Sequence, residues 1–258
     1  MLLEDKNAVI YGGGGKVGGA VARAFAREGA NIFLAGRTLE SLEEVAEQIR
    51  SAGGVAETAQ VDALDERAVD RYVDAVAEKA GGIDISFNLI SYGDVQGTPL
   101  AEMTTEDFER PVMSAVRTQF LTSRAAARHM VRQGSGVILT FGGAGGRDPI
   151  RDYTSGGFQV YLGGFQVALG AIDILRRQLA VELGPHGIRV VTLQSGGVPE
   201  TTREDWREAI TQSFIDTSML KQVETLEDVG NVAAFAASDL ARTMTATAIN
   251  ITYGRVAD

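Results

Sequence analysis

The chain has 258 residues, 45% hydrophobic and 22% charged, and its 24 Lys and Arg against 34 Asp and Glu leave a formal charge of −10. That balance excludes the basic footprint a nucleic-acid binder needs, and the absence of cysteine excludes disulfides and thiol chemistry. No apolar run reaches the length of a membrane span, and MLLEDK places acidic residues where a signal peptide needs a basic end, so a cytoplasmic protein with no membrane partner is expected.

Asn7–Tyr11 is a short apolar run that ends in GGGGKVGG, and Val17–Glu28 follows with helical spacing. Asn31–Ala35 reads as a strand and Leu39–Ala52 as a helix. Val55–Val61 and Asp65–Ala80 repeat the pair. Asp84–Leu89 is a strand, and a long helical region runs from about Thr104 to Gln133. Gly136–Phe141 is a strand, Gly163–Leu183 a helix and GIRVVTL a strand. Leu226–Ser238 is helical, and Thr247–Thr252 is the last strand. This alternation predicts an α/β fold with a doubly wound parallel sheet covered by helices on both faces. Two connections, 142–161 and 197–220, are longer than turns. The second carries Trp206 and several charges, and reads as a lid over a site.

VIYGGGGKVGGAVARAFA is a strand, a glycine turn and a helix, the arrangement that lets backbone approach a pyrophosphate at a helix N-terminus. The second strand ends FLAGRT. Arg37 stands where a carboxylate would hold the ribose hydroxyls of NAD, and Lys16 lies in the glycine loop. Two cations suit the extra phosphate of NADP(H), whereas a solvated loop arginine is the plainer reading. Asp62 ends the third strand and Asn88 the fourth. Each alone is also an ordinary capping or turn residue.

These motifs resemble the short-chain dehydrogenase/reductase family along nearly the whole chain. NAVIYGGGGKVGGAVARAFAREGA is similar to its opening unit, QVDALDE to its adenine-contacting turn and DISFNLIS to its Asn-Asn-Ala-Gly strand end. LAVELGPHGIRVVTLQSGGV resembles its last catalytic helix and following strand, with Ser195–Gly196 where Pro-Gly usually stands. Lys16 replaces a glycine of the family pattern, and of Asn-Asn-Ala-Gly only Asn88 is kept. The resemblance implies one NAD(P)-binding domain over residues 1–258, a Rossmann-type sheet of about seven strands in the order 3-2-1-4-5-6-7, and a substrate lid at about 197–220. It also implies a cofactor site formed by Gly12, Gly15, Lys16, Val17, Arg37, Asp62, Ala63, Asn88, Ser195, Gly196 and Val198.

Family chemistry uses a tyrosine phenol, a lysine one helical turn on that lowers its pKa, a serine and an asparagine. Counting along the resembling segments, these positions fall on Phe165, Leu169, Gly143 and Ala115, none of which transfers a proton. The chain has only four lysines, Lys6, Lys16, Lys79 and Lys221, and no tyrosine has a lysine four residues later. Tyr161 and Tyr153 are the substitute candidates. Tyr161 would share a face with Phe165 if the helix continued back through two glycines. Tyr153 lies among Arg147, Asp148, Arg151 and Asp152, and solvated loop groups are the competing reading. No His, Cys or carboxylate spacing points to a metal. The expected activity is NADP(H)-dependent oxidoreduction of a small, hydrophobic or activated carbonyl or enone. The alternative is a non-redox, cofactor-binding sensor or regulatory subunit on the same scaffold. The resemblance also implies a homodimer or homotetramer, with Gly163, Gly164, Ala168, Gly170 and Ala171 allowing close approach or packing on the sheet.

Overall fold

The computed structural model describes residues 1–143 and 161–256, together with the backbone of 154–155 and 158–159. The first unit is β1 (Asn7–Tyr11), α1 (Lys16–Arg27), β2 (Asn31–Gly36), α2 (Leu39–Ser51), β3 (Val55–Gln60) and α3 (Glu66–Ala80). The second is β4 (Ile85–Asn88), α4 (Thr105–Gln133), β5 (Gly136–Gly143), a short hairpin of β6 (Thr154–Ser155) and β7 (Phe158–Gln159), α5 (Gly164–Leu183) and β8 (Ile188–Ser195). Helices α6 (Glu204–Thr217) and α7 (Leu226–Ala237) and strand β9 (Thr247–Asn250) complete it.

Seven strands form one parallel sheet in the order β3-β2-β1-β4-β5-β8-β9. Set aside the hairpin, and this is the expected order 3-2-1-4-5-6-7. The central strands β1 and β4 are buried along their whole length, as strands covered on both faces must be. One core cluster lies between the sheet and α1, α2 and α7, and contains Ile10, Phe25, Leu34, Phe87 and Val229. The other lies on the opposite face, with Val9, Phe33, Val73, Ala126, Met130 and Val190. The chain reverses its winding between β1 and β4, so the ends of β1, β4, β5 and β8 open on one edge, where such sheets place their ligands.

Helix ends explain where the segments stop. Asp65 caps α3 by accepting from the N–H groups of Arg67 and Ala68, and Thr104 caps α4 through Asp107. Thr225 and Asp228 form a reciprocal capping box on α7. Helix α1 differs: Gly15 precedes it and offers no side-chain cap. Helix α5 starts after Gly163, whose φ of 53° and ψ of −131° turn the chain out of helical geometry. Tyr161 is therefore not on α5, and the shared helical face considered for Tyr161 and Phe165 does not exist.

Two of the small residues at the start of α5, Gly164 and Ala168, are buried against the rest of the chain. A Cβ on Gly164 would lie 1.9 Å from the Phe108 carbonyl oxygen of α4 and 3.0 Å from the Pro111 ring. Ala168 is fully buried, while Gly170 has open space beside it.

Candidate active site

The glycine turn after β1 is built for close backbone approach. Gly12 has a φ of 74°, and a Cβ on Gly18 would lie 2.2 Å from the Gly12 carbonyl oxygen. The uncapped start of α1, at Gly15–Val17, leaves N–H donors and the positive end of the helix dipole facing out of this turn. That donor set fits an anionic phosphate. The Lys16 ammonium donates to the Glu200 carbonyl oxygen at 2.8 Å, which ties the turn to the segment after β8.

Arg37, at the end of β2, is exposed, and its backbone carbonyl accepts from the Gln60 side chain at 2.8 Å. Asp62 uses its carboxylate on the Leu64 N–H at 3.0 Å, a local turn bond, and Ala63 beside it is buried. Asn88 is buried at the end of β4. Its amide donates to the Thr122 hydroxyl of α4 at 3.3 Å, and its oxygen accepts from the Ile90 N–H at 3.0 Å. The turn roles considered for Asp62 and Asn88 are thus both filled.

Ala115, Ala168, Ile172 and Tyr92 form one apolar cluster with Phe165 packed against it. The Tyr92 and Phe165 rings are 6.2 Å apart and tilted by 43°. A Cβ on Gly143 would meet Leu169 Cδ1 at 2.6 Å, so the leucine side chain occupies the space a residue at 143 would need. The four positions reached by counting therefore lie together: Leu169 over Gly143, and Phe165 and Ala115 in the neighbouring cluster. Tyr161 is exposed, and its backbone carbonyl accepts from the Gly97 N–H at 2.8 Å. Tyr153 and its charged neighbours Arg147, Asp148, Arg151 and Asp152 lie outside the described residues.

Beyond β8, the turn at 195–198 is held by its own hydroxyl and by a carboxylate. The Gly197 N–H donates to Ser195 Oγ at 3.0 Å, and the Gly196 N–H to Glu224 Oε1 at 2.6 Å. Val198 is buried behind them. Burial pushes the Glu224 carboxyl up to about 7. The Ser195 hydroxyl, the Gly196 and Gly197 N–H groups and the Arg255 guanidinium only partly offset it. Among the described residues, no group of His, Cys, Asp and Glu is arranged to hold a metal.

Residues 15–255 match the family model described as enoyl-(acyl carrier protein) reductase. The chain belongs to the short-chain dehydrogenase/reductase family. The 7alpha-hydroxysteroid dehydrogenase of Clostridium sardiniense is 30% identical over 241 residues, spanning 92% of this chain and 88% of its own. A short-chain type dehydrogenase/reductase from Mycobacterium marinum superposes with a TM-score of 0.85 at 28% identity, over 99% of this chain and 97% of its own. An NAD+-bound xylitol dehydrogenase superposes with a TM-score of 0.85 at 25% identity, over 97% and 99% of the two chains.

As a short-chain dehydrogenase/reductase, the chain comes from a family of oxidoreductases that bind nicotinamide cofactors and act on small molecules. Among the described residues, no helix is long and apolar enough to cross a membrane. Sequence reasoning missed two residues at the site. Tyr92 follows the β4 end by four residues and packs on Phe165. It is buried, which raises its phenol above the ordinary range and makes it a hydrogen-bond donor rather than a base. Glu224 lies just before a capping box, and nothing in its sequence neighbourhood marks it as buried.

Proposed function

We propose that this short-chain dehydrogenase/reductase uses NADP(H) and reduces a small, hydrophobic, activated carbonyl or enone without the tyrosine–lysine pair. The observation that carries this reading is the contact of Leu169 with Gly143, beside Phe165 on Tyr92. It gives an apolar floor where a proton relay would stand, and the phosphate-binding turn at the other end remains intact. The glycine turn and the open start of α1 would take the pyrophosphate. Lys16 and Arg37 would take the 2′-phosphate, and the 195–198 turn would take the nicotinamide end. When bound, the cofactor supplies a hydride.

The residues at 165, 169 and 143 exclude water and offer shape to an apolar substrate. A substrate whose acceptor carbon is already activated needs less acid assistance, so water or the Tyr161 phenol suffices as proton source. Residues 197–220, with α6 and the exposed Trp206, would cover the substrate. A cytoplasmic homodimer or homotetramer fits the exposed apolar side chains of α4 (Met113, Phe120) and α5 (Val167, Ile174, Val181).

The test is a thermal shift with NADPH and NADH, followed by NADPH consumption against a panel of activated carbonyls and enones. The expected result is a larger shift with NADPH, a preference erased by Arg37→Ala, and turnover of the activated substrates only. A shift without turnover of any panel member would favour a cofactor-binding sensor or regulatory subunit. No shift at millimolar cofactor would overturn the dinucleotide site.

A further inference from the structure

Glu224 is the only aspartate or glutamate among the described residues that is buried, with 3% of its surface exposed. Its Oε1 accepts the Gly196 N–H, and its Oε2 has no hydrogen-bond partner. The Gly196–Gly197 turn is enclosed on both sides. A Cβ on Gly196 would lie 3.3 Å from Glu224 Oε1 and 3.4 Å from Arg255 Cζ. A Cβ on Gly197, at a φ of 115°, would lie 3.1 Å from the Phe214 ring of α6. Arg255 stacks on that same ring, 3.7 Å from its centroid. A backbone N–H can be satisfied by any neutral acceptor, and a buried carboxyl is a costly way to do it. Carboxyls perturbed by burial cluster at functional sites.

We propose that Glu224 is a positioning residue for the nicotinamide half of the site, holding the Ser195–Gly197 turn from behind and, through Arg255 on Phe214, tying that turn to α6. This rests on the dinucleotide reading given under the proposed function. The charged and titratable groups that act on Glu224 are Arg255 and Tyr253 of the C-terminal segment. Asp228 of α7 acts at one remove, through its contact with the Tyr253 hydroxyl. Ser195 faces it from the end of β8. Loss of the carboxyl releases the turn, and the nicotinamide end of the ligand loses its seat. The phosphate end, held at α1, is untouched.

Two probes separate the ends: NADPH, and 2′-phospho-ADP-ribose, which lacks the nicotinamide. If NADH is the form bound, NADH and ADP-ribose replace them. Titration calorimetry compares the wild type with Glu224→Ala, Glu224→Gln and Arg255→Met. Glu224→Ala is expected to weaken NADPH by about tenfold and to leave the fragment within about twofold. Glu224→Gln keeps an acceptor oxygen and is expected to restore NADPH to within about threefold of the wild type. Arg255→Met is expected to give a smaller loss, again confined to NADPH. Equal losses for both probes mean a general structural role and overturn the proposal, as does no change for either. If Glu224→Ala fails to fold, the Arg255→Met result decides on the same criterion. A wild type that binds neither probe removes the dinucleotide reading and this inference with it. A wild type that binds both, with unselective variants, removes this inference alone.

Discussion

Replacing Glu224 by glutamine should change how stability depends on pH. The folded carboxyl titrates near 7, against an ordinary value of 4.5. Between those values the folded state binds a proton that the unfolded state has released, so stability falls as pH rises through this window. Below about pH 4.5 the group contributes nothing, and above about pH 7 its full cost is present. The shift of roughly 2.5 units corresponds to about 3 kcal/mol, of which about 2.5 kcal/mol develops between pH 5 and pH 8. Urea unfolding of the wild type and Glu224→Gln at these two pH values gives the quantity as a double difference, which cancels any packing cost of the amide itself. The wild type should lose about 2.5 kcal/mol relative to the variant on moving from pH 5 to pH 8. A wild-type-minus-variant difference that changes by less than about 0.5 kcal/mol between the two pH values would refute the elevated titration.

Three further outcomes follow from the packing around α5. Gly164→Ala forces a methyl into the Phe108 carbonyl and should cost about 3 kcal/mol or more, read as a lowered thermal midpoint; a loss below about 1 kcal/mol would mean that α4 and α5 part easily. Gly143→Ser alone should cost about 1–2 kcal/mol against Leu169, and this cost should vanish in a Leu169→Ala background, as a double-mutant cycle by urea unfolding would report. The triple variant Phe165→Tyr, Leu169→Lys and Gly143→Ser should raise NADPH-dependent reduction of simple ketones; an unchanged rate in a folded, cofactor-binding triple variant would mean that these are not the family's proton-transfer positions.

The strand and helix order was legible because each segment carries a single period and clear ends. The buried runs of β1 and β4 and the polar caps at Asp65, Thr104 and Thr225 mark their own boundaries in one dimension. The position of Gly143 beside Leu169 could be reached by counting, since both lie in regular elements. What was not legible depends on contacts distant in the chain. Tyr92 comes to Phe165 across more than seventy residues, and the burial of Glu224 requires the 195–198 turn, α6 and the C-terminal segment to meet. Tyr161 was left open by the sequence: whether α5 reaches back to it turns on the backbone of Gly163, and a φ of 53° there ends the helix short of it.

At Gly164 the backbone of α5 lies close against the Phe108 carbonyl of α4, main chain to main chain. Rotamers yield when a neighbour changes size, but peptide groups in direct contact have little to yield. The origin of α5 is thereby pinned independently of whichever side chain follows it. A ring of any chemistry grafted at position 165 would start from the same Cα and point along the same vector, which makes this scaffold a ready host for redesigned proton donors.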